Sequence, residues 1–481
     1  MNYDVIIIGG GLGGLTAGAK LAKEGKKVLL VEQHSVPGGC ATTFKRKDFT
    51  LEVGLHEMDG LDRRDMKTKI FRDLGIFDRV SFLKVPEFYH FNNNRVELTI
   101  PHNPEEAKNV LTEAFPAEKQ GIEAYFDQVM NARQKAKESA GKPERSVGDF
   151  LDSIIGNEDL KLVLLGNLGY FHDDPYSLSL NYYSVAQGSY YSGGGNFIQG
   201  GSQKLSDALA DVIREHGGEV IPDHIVTQII IDNNKAAGIR FRKSNISDGD
   251  HLEAFSEEVI ANAAIPNVAE SLLPPDKGRE LKLQYEHCRP GPSLLTVYFG
   301  FKKPLKTIGS KYYSTFVYDE SVTSQAEIVK NNHSHFSTRS FTFVDYSQVD
   351  ARLAPENKSV AALCCIDYKQ DWDRLDKDDY HKRKKEAGEI FTDRLDKLIP
   401  GFKEAVEYSE VATPRTISRY TLNPGGSVYG FAQTPARIRN PKITSVENLH
   451  FASAWTKIGG GFSGAIFNGY LTAFDLLRRK K

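Results

Sequence analysis

The sequence predicts an α/β protein built on a parallel sheet, and three segments within its first 32 residues carry that prediction. Tyr3 to Ile8 is an unbroken apolar run ending in glycine, as a strand buried on both faces reads. Leu15 to Glu24 puts Leu15, Ala19 and Ala22 on one helical face. Lys27 to Val31 is a second apolar run, so the three make a βαβ unit of ordinary size, roughly 30 residues.

Between the first strand and the helix lies GGGLGG. Gly9, Gly11 and Gly14 fill the GxGxxG frame, and Leu12 and Gly13 open the helix. The first glycine allows a tight turn, the second lets backbone approach a pyrophosphate, and the third lets helix and strand pack closely. The helix start offers free N–H groups to phosphate. Glu32 ends the second strand, where an acid accepts from ribose hydroxyls and repels a 2′-phosphate. Together these make a Rossmann-like dinucleotide site.

Composition narrows the remaining choices. At 481 residues there is room for two or three domains, or one large interrupted one. Lys and Arg number 61 against 63 Asp and Glu, a net charge of −2, which argues against nucleic acid as a partner. With 40% hydrophobic residues the chain is too apolar to be disordered. Cys40, Cys288, Cys364 and Cys365 form neither a disulfide framework nor a CxxC pair, so free thiols, a reducing compartment and no metal are expected. No basic segment precedes the first strand, so no leader is expected. No run approaches the ~18 apolar residues that span a bilayer. A cytoplasmic protein is expected, soluble or peripheral on the inner face of a membrane.

Met66 to Gly141 reads as mostly helical and polar, with a solvated helix end and loop over Asn131 to Ser146. Tyr170 to Phe197 is rich in aromatics. A helix is expected over Leu205 to His216, then strand over Glu219 to Ile231. Ala237 to Arg242 and Glu253 to Ile260 read as a hairpin across the polar loop Lys243 to Asp250. Ser293 to Phe301 is a strand, and VAALCCI another, with Cys364 and Cys365 on alternate faces as inert buried thiols. Lys369 to Glu389 is a charged, exposed helix. Ser445 to Ala454 ends as a buried strand, and Gly464 to Arg479 closes the chain as a helix.

Five residues after Glu32 comes Pro37-Gly38-Gly39-Cys40-Ala41-Thr42-Thr43-Phe44. Here the chain resembles the large flavoprotein family that includes amine oxidases, phytoene desaturases, carotenoid isomerases and retinol saturases. The resemblance implies that this second loop, with Gly38, Gly39, Cys40 and Thr43, lies along the pyrophosphate of FAD. Gly54, Leu55 and His56, in FTLEVGLHEMDG, resemble the segment that lies against the isoalloxazine. GGSQKLSDALADVIREHGG resembles the family's returning helix, and Val226 falls where its backbone meets adenine. Asn262-Ala263-Ala264-Ile265-Pro266 resembles its N-A-x-P turn. Asn448 to Ala473 resembles the closing strand, glycine loop and helix, which implies flavin contacts from Ser453, Ala454, Gly460, Gly461, Phe462 and Ser463. The chain departs from the family twice. Ser453-Ala454 stand where relatives often carry Gly-Asp or Gly-Glu, so a ribityl contact from Ala454 would be backbone only. Cys40 replaces the usual basic residue and cannot offset phosphate charge.

Within the family, Gly38-Gly39-Cys40 with Thr43-Phe44, Gly54-Leu55-His56 and the aromatic block Tyr182 to Ser202 are similar to the retinol saturase and carotenoid isomerase branch. That implies an FAD-dependent oxidoreductase acting on C=C bonds of an apolar, carotenoid- or retinoid-like polyene, as desaturase, saturase or cis–trans isomerase, with hydride chemistry at flavin N5. Tyr183, Tyr190, Tyr191 and Phe197 are candidate substrate-lining residues, an ordinary packed core being the alternative. His56 is the candidate proton carrier, with an ordinary pKa near neutrality. Glu57 is a second of the same kind, and Lys457 could approach flavin or a substrate carboxylate. A flavin amine oxidase is an alternative. A prenyl-binding chaperone of the Rab GDP-dissociation inhibitor type is another, against which the intact fingerprint stands. The expected architecture is a discontinuous FAD-binding domain (residues 1–70, 200–270 and 411–481) with an inserted α+β substrate-binding domain (71–199 and 271–410). The expected partner is a polyene lipid, with peripheral membrane contact through Arg478-Arg479-Lys480-Lys481. No second GxGxxG with strand and acid is seen, so the electron partner is unknown.

Overall fold

The opening strand, Asn2–Ile8, sits in the middle of a seven-stranded sheet. A computed structural model describes residues 2–139, 141, 143–246, 251–437, 446–456 and 458–479. In this sheet Asn2–Ile8 pairs in parallel with Val28–Val31 on one side and Leu252–Ala261 on the other. Glu219–Ile221 extends the parallel set beyond Val28–Val31. Leu252–Ala261 forks: its C-terminal residues pair in parallel with Leu449–Phe451, and its N-terminal half pairs antiparallel with Lys235–Lys243, which in turn pairs with His224–Asp232. Segments far apart in the chain thus complete one sheet, with Asn2–Ile8, Val28–Val31 and the C-terminal end of Leu252–Ala261 as its buried centre.

The helix Leu12–Lys23 lies between Gln203–Glu215 and the closing helix Gly461–Arg479, and 11 of its 12 residues are buried. Small residues make this close packing feasible. A Cβ on Gly469 would stand 2.1 Å from the carbonyl oxygen of Gly13, and one on Gly13 would stand 2.1 Å from that of Ala452.

A second seven-stranded sheet runs in the order Val406–Ala412, Ser293–Phe301, Ser359–Asp367, Phe341–Asp345, Ser314–Val317, Tyr89–Asn92, Glu97–Ile100. It is antiparallel apart from the parallel pairing of Ser314–Val317 with Tyr89–Asn92. One face packs on the helix Lys377–Leu398 through Val297, Phe299, Leu363, Phe391 and Leu395.

Several sequence expectations are corrected here. The stretch expected to be mostly helical also holds three strands, Phe82–Lys84, Tyr89–Asn92 and Glu97–Ile100, and Tyr89–Asn92 pairs with Ser314–Val317, more than 200 positions away. The strand expected over Glu219 to Ile231 is two strands at opposite sides of the sheet. Pro222 lacks a ladder N–H, and Asp223 turns the chain at φ 56°. The charged helix expected over Lys369 to Glu389 is two, Lys369–Asp373 and Lys377–Leu398, the second started by Asp376, whose side chain accepts from the Asp379 N–H. Lys457, Lys480, Lys481 and the end of the polar loop, 247–250, lie outside the described residues.

Candidate functional site

A cavity of about 2560 Å³ runs from the glycine turn of the first sheet to the inner face of the second. Ordinary small-molecule sites hold about 300–1,000 Å³, so this one has room for a dinucleotide and a second ligand.

At the first-sheet end it is lined by Gly9, Gly11, Leu12, Gly13, Glu32, Gly38, Gly39, Cys40, Thr43, Val226, Asn262 and Ala263. The two glycine turns are strapped together, Gly38 N–H donating to the Gly10 carbonyl at 2.7 Å. The Asn262 side-chain amide donates to the Gly9 carbonyl at 3.0 Å and holds the first turn from beneath. Glu32 accepts from the N–H of Gly10 at 2.6 Å and of His34 at 2.8 Å. A carboxylate has further lone pairs for hydroxyl donors. Gly14 does not line the cavity: a Cβ there would meet the Gly9 carbonyl oxygen at 2.2 Å, so its role is helix-to-strand packing. No side chain caps the helix start at Gly11, which leaves its first-turn N–H groups to an anion. Burial pushes the Cys40 thiol up to about 11, so it stays neutral beside that anion site.

Farther in, Gly54, His56, Ser453, Ala454, Gly460, Gly461, Phe462 and Ser463 line the cavity. Leu55 does not. Its side chain is fully buried and its N–H donates to Glu52 Oε1 at 3.0 Å, which shapes the turn that presents His56. His56 Nδ1 lies 3.1 Å from the hydroxyl of Tyr170. The sequence expectation for His56 is corrected: burial pushes its pKa down to about 4, so the ring is neutral at pH 7 instead of poised near neutrality.

The sequence did not reveal a second polar group in the lining of the cavity. Lys67, 1% exposed, lies 3.0 Å from Asp59 and 2.8 Å from Asp65. Ser463, in the first turn of the closing helix, donates to Asp59. Burial opposes ionisation of Asp59, but Lys67, with hydrogen bonds from Ser189 and Ser463, holds its carboxyl below the usual range. Asp65 also caps the helix Met66–Asp73, accepting from the Lys67 N–H, a local signal that could have drawn attention to it. A buried lysine, however, has no one-dimensional signature.

The far arm of the cavity has the second sheet as its floor. Ala412, Thr296, Cys364 and Thr342 stand in register across four strands, and all four line it. Burial raises the Cys364 thiol above its usual range, so none of these side chains carries a charge. Tyr170, Tyr182, Tyr190, Tyr191 and Tyr298 add aromatic wall. Two expected lining residues are corrected. Tyr183, on the helix Leu180–Gly193, does not line the cavity: it is buried and donates to the Leu164 carbonyl at 2.7 Å. Phe197 is fully buried against Tyr346. Tyr183 and Tyr190 are seven residues apart and share a helix face, yet only Tyr190 lines the cavity, so spacing alone could not separate wall from core.

The residues present fit FAD: an uncapped helix start for phosphate, an acid at the end of the second strand, Val226 and Ala263 in the same wall, and a second helix start at Gly461 farther in. When bound, FAD supplies the hydride chemistry. The profile of a family described as flavin-containing amine oxidoreductase matches residues 12–477. The chain is 26% identical over 510 residues to the carrot (Daucus carota) chloroplastic prolycopene isomerase, covering 98% of this chain and 79% of that one. It is 24% identical over 552 residues to the all-trans-retinol 13,14-reductase of Danio rerio, covering 99% and 88%. An oxidoreductase structure from Methanosarcina mazei superposes with a TM-score of 0.68 at 17% identity, over 99% of this chain and 100% of that one. A match over nearly the whole length, on a cleft built for a dinucleotide, makes this chain an FAD-dependent oxidoreductase that belongs to the flavin-containing amine oxidoreductase family.

Proposed function

We propose that the enzyme acts on carbon–carbon double bonds of an apolar polyene, as desaturase, saturase or cis–trans isomerase. The observation that carries this reading is a cavity wall in which the uncharged row Ala412–Thr296–Cys364–Thr342 is joined by tyrosines, a lining suited to an apolar conjugated chain. Support comes from the relatives, one named for prolycopene and one for retinol. The N-terminal segment, Asn262 and the closing helix hold FAD in this reading. Ser463, Asp59 and Lys67 fix the start of that helix, whose positive end favours negative charge beside it. His56 and Tyr170, both neutral, position substrate and exclude water without adding charge.

The same reading divides the chain into FAD-binding segments 1–70, 200–270 and 411–481 and substrate segments 71–199 and 271–410. It also places the enzyme on the cytoplasmic face of a membrane, from which a polyene must be loaded. Arg63, Arg64, Lys69 and Arg133 border the cavity beside the exposed Met130 and Val185. On the closing helix Leu471 and Phe474 are exposed, with Arg478 beside Phe474. Basic and apolar side chains together suit an anionic lipid surface.

The test starts with the visible spectrum of protein purified without added cofactor, which should show oxidised flavin released by heat. Expression in cells that accumulate cis-carotenoids or retinoids, read by chromatography, should then change the polyene profile. Peroxide released on adding amines, with no polyene change, would replace this reading with an amine oxidase.

A further inference from the structure

The pyrophosphate of FAD is a dianion, and the segment that receives it brings no cation of its own. From Ile8 to Phe44 no lysine or arginine lines the cavity, and the Cys40 thiol is neutral. The helix start at Gly11 offers N–H groups worth about half a unit charge. A cation from elsewhere in the fold would complete the balance.

Most cations of the cavity are committed or stand on other walls. Arg46 pairs with Glu410 at 2.8 Å, and Lys67 pairs with Asp59 and Asp65. Arg437 donates to Gln433 Oε1 and to the Thr456 carbonyl. Lys69 and Arg133 are on helices that pack on the closing helix and on Leu180–Gly193, and Arg63 and Arg64 lead into the first of these.

Arg419 is different. It is in the last turn of the helix Pro414–Thr421, whose Thr416, Ile417 and Tyr420 also line the cavity. The end of this helix is fastened to the turn after Glu32. Gln33 Nε2 donates to the Tyr420 carbonyl at 3.1 Å, and the His34 and Tyr420 rings meet edge to face at 5.4 Å. Asn267, which also lines the cavity, donates to the Leu422 carbonyl at 2.6 Å. Arg419 is exposed, its guanidinium lies 5.1 Å over the Tyr420 ring, and among the described residues no carboxylate pairs with it. Lys384 lines the cavity too, but its helix meets the opposite end of Pro414–Thr421: Tyr380, one turn before Lys384, has its hydroxyl 3.0 Å from Thr413 Oγ1.

We infer that Arg419 binds the phosphates of FAD, supplying from the helix Pro414–Thr421 the charge that the glycine turns lack. The inference holds whatever the substrate. An arginine in the last turn of a helix also suits the helix dipole, so the experiment has to separate the two roles.

Flavin-loaded protein is diluted at low and at high salt, and released FAD is read by its fluorescence. ADP and adenosine serve as competing probes, and Tm monitors the fold of each variant. Arg419→Gln should weaken FAD binding by about tenfold or more at low salt, as loss of a charge-assisted hydrogen bond does. It should also flatten the salt dependence and shrink the preference for ADP over adenosine. Arg419→Lys should keep most of the affinity and of the salt slope. Lys384→Gln should leave all three readouts near wild type. Unchanged FAD affinity and salt slope in Arg419→Gln overturn the inference and leave the arginine as the cation of its own helix end. Equal losses of ADP and adenosine affinity also overturn it, because the helix then acts through shape and not charge. An effect of Lys384→Gln as large as that of Arg419→Gln overturns it as well, since the general field of the cavity, and not one guanidinium, then holds the phosphates.

Discussion

The Asn262 side-chain amide donates to the carbonyl oxygen of Gly9 at 3.0 Å, joining residues 253 positions apart. The first glycine turn is therefore held from outside its own βαβ unit. Gly9 adopts φ 94°, and the amide beneath it fixes the carbonyl that this conformation exposes.

Asn262→Ala should lower flavin affinity by about tenfold, the value of one hydrogen bond of roughly 1.4 kcal/mol. Titration of apoprotein with FAD checks this. Unchanged affinity would mean the turn holds its shape unaided.

Lys67→Met should destabilise the protein by about 3–5 kcal/mol, because it leaves Asp59 and Asp65 buried without their cation. Denaturant unfolding measures it. Adding Asp59→Asn and Asp65→Asn should restore much of the loss, which a simple packing defect would not allow.

His56 should make the fold sensitive to acid. Its pKa falls from 6.5 in the unfolded chain to about 4 in the native state. Between those values the unfolded chain binds a proton that the native state refuses, so stability falls as pH drops through that window. The full effect is about 3 kcal/mol. His56→Leu should flatten the stability profile between these limits, and an unchanged acid slope would count against the ring's burial.

Tyr182 and Tyr183 should separate substrate binding from stability. Tyr182→Ala should raise KM for a polyene severalfold with flavin content unchanged, since Tyr182 lines the cavity. Tyr183→Phe should cost about 1 kcal/mol of stability by removing the bond to Leu164 and leave KM alone. A KM effect at Tyr183 would place that side chain in the cavity wall as well.

The first βαβ unit and the cofactor were legible because their signals are local. An apolar strand, a glycine frame and an acid occur within 32 residues, and each has one physical job. Ser293–Phe301 was read to its exact ends because a nine-residue stretch rich in apolar, β-branched and aromatic residues and preceded by Pro292 admits little else. The split at Pro222 was missed although proline marks it, because both halves are strand and only pairing sends them to opposite sides of the sheet.

By itself the sequence determined the chemistry that glycine, helix start and acid can hold, because those contacts lie within one short stretch of chain. Only the tertiary structure decided which tyrosines form wall and which form core, because Tyr183 shares a helix face with Tyr190 and yet only Tyr190 reaches the cavity. It alone brought Asp59, Lys67 and Ser463 together, and it alone left the Glu57 carboxyl buried with no hydrogen-bond partner among the described residues. Ionisation and hydrogen-bond satisfaction depend on what surrounds a group in space, and that surrounding comes from segments that the chain order keeps far apart.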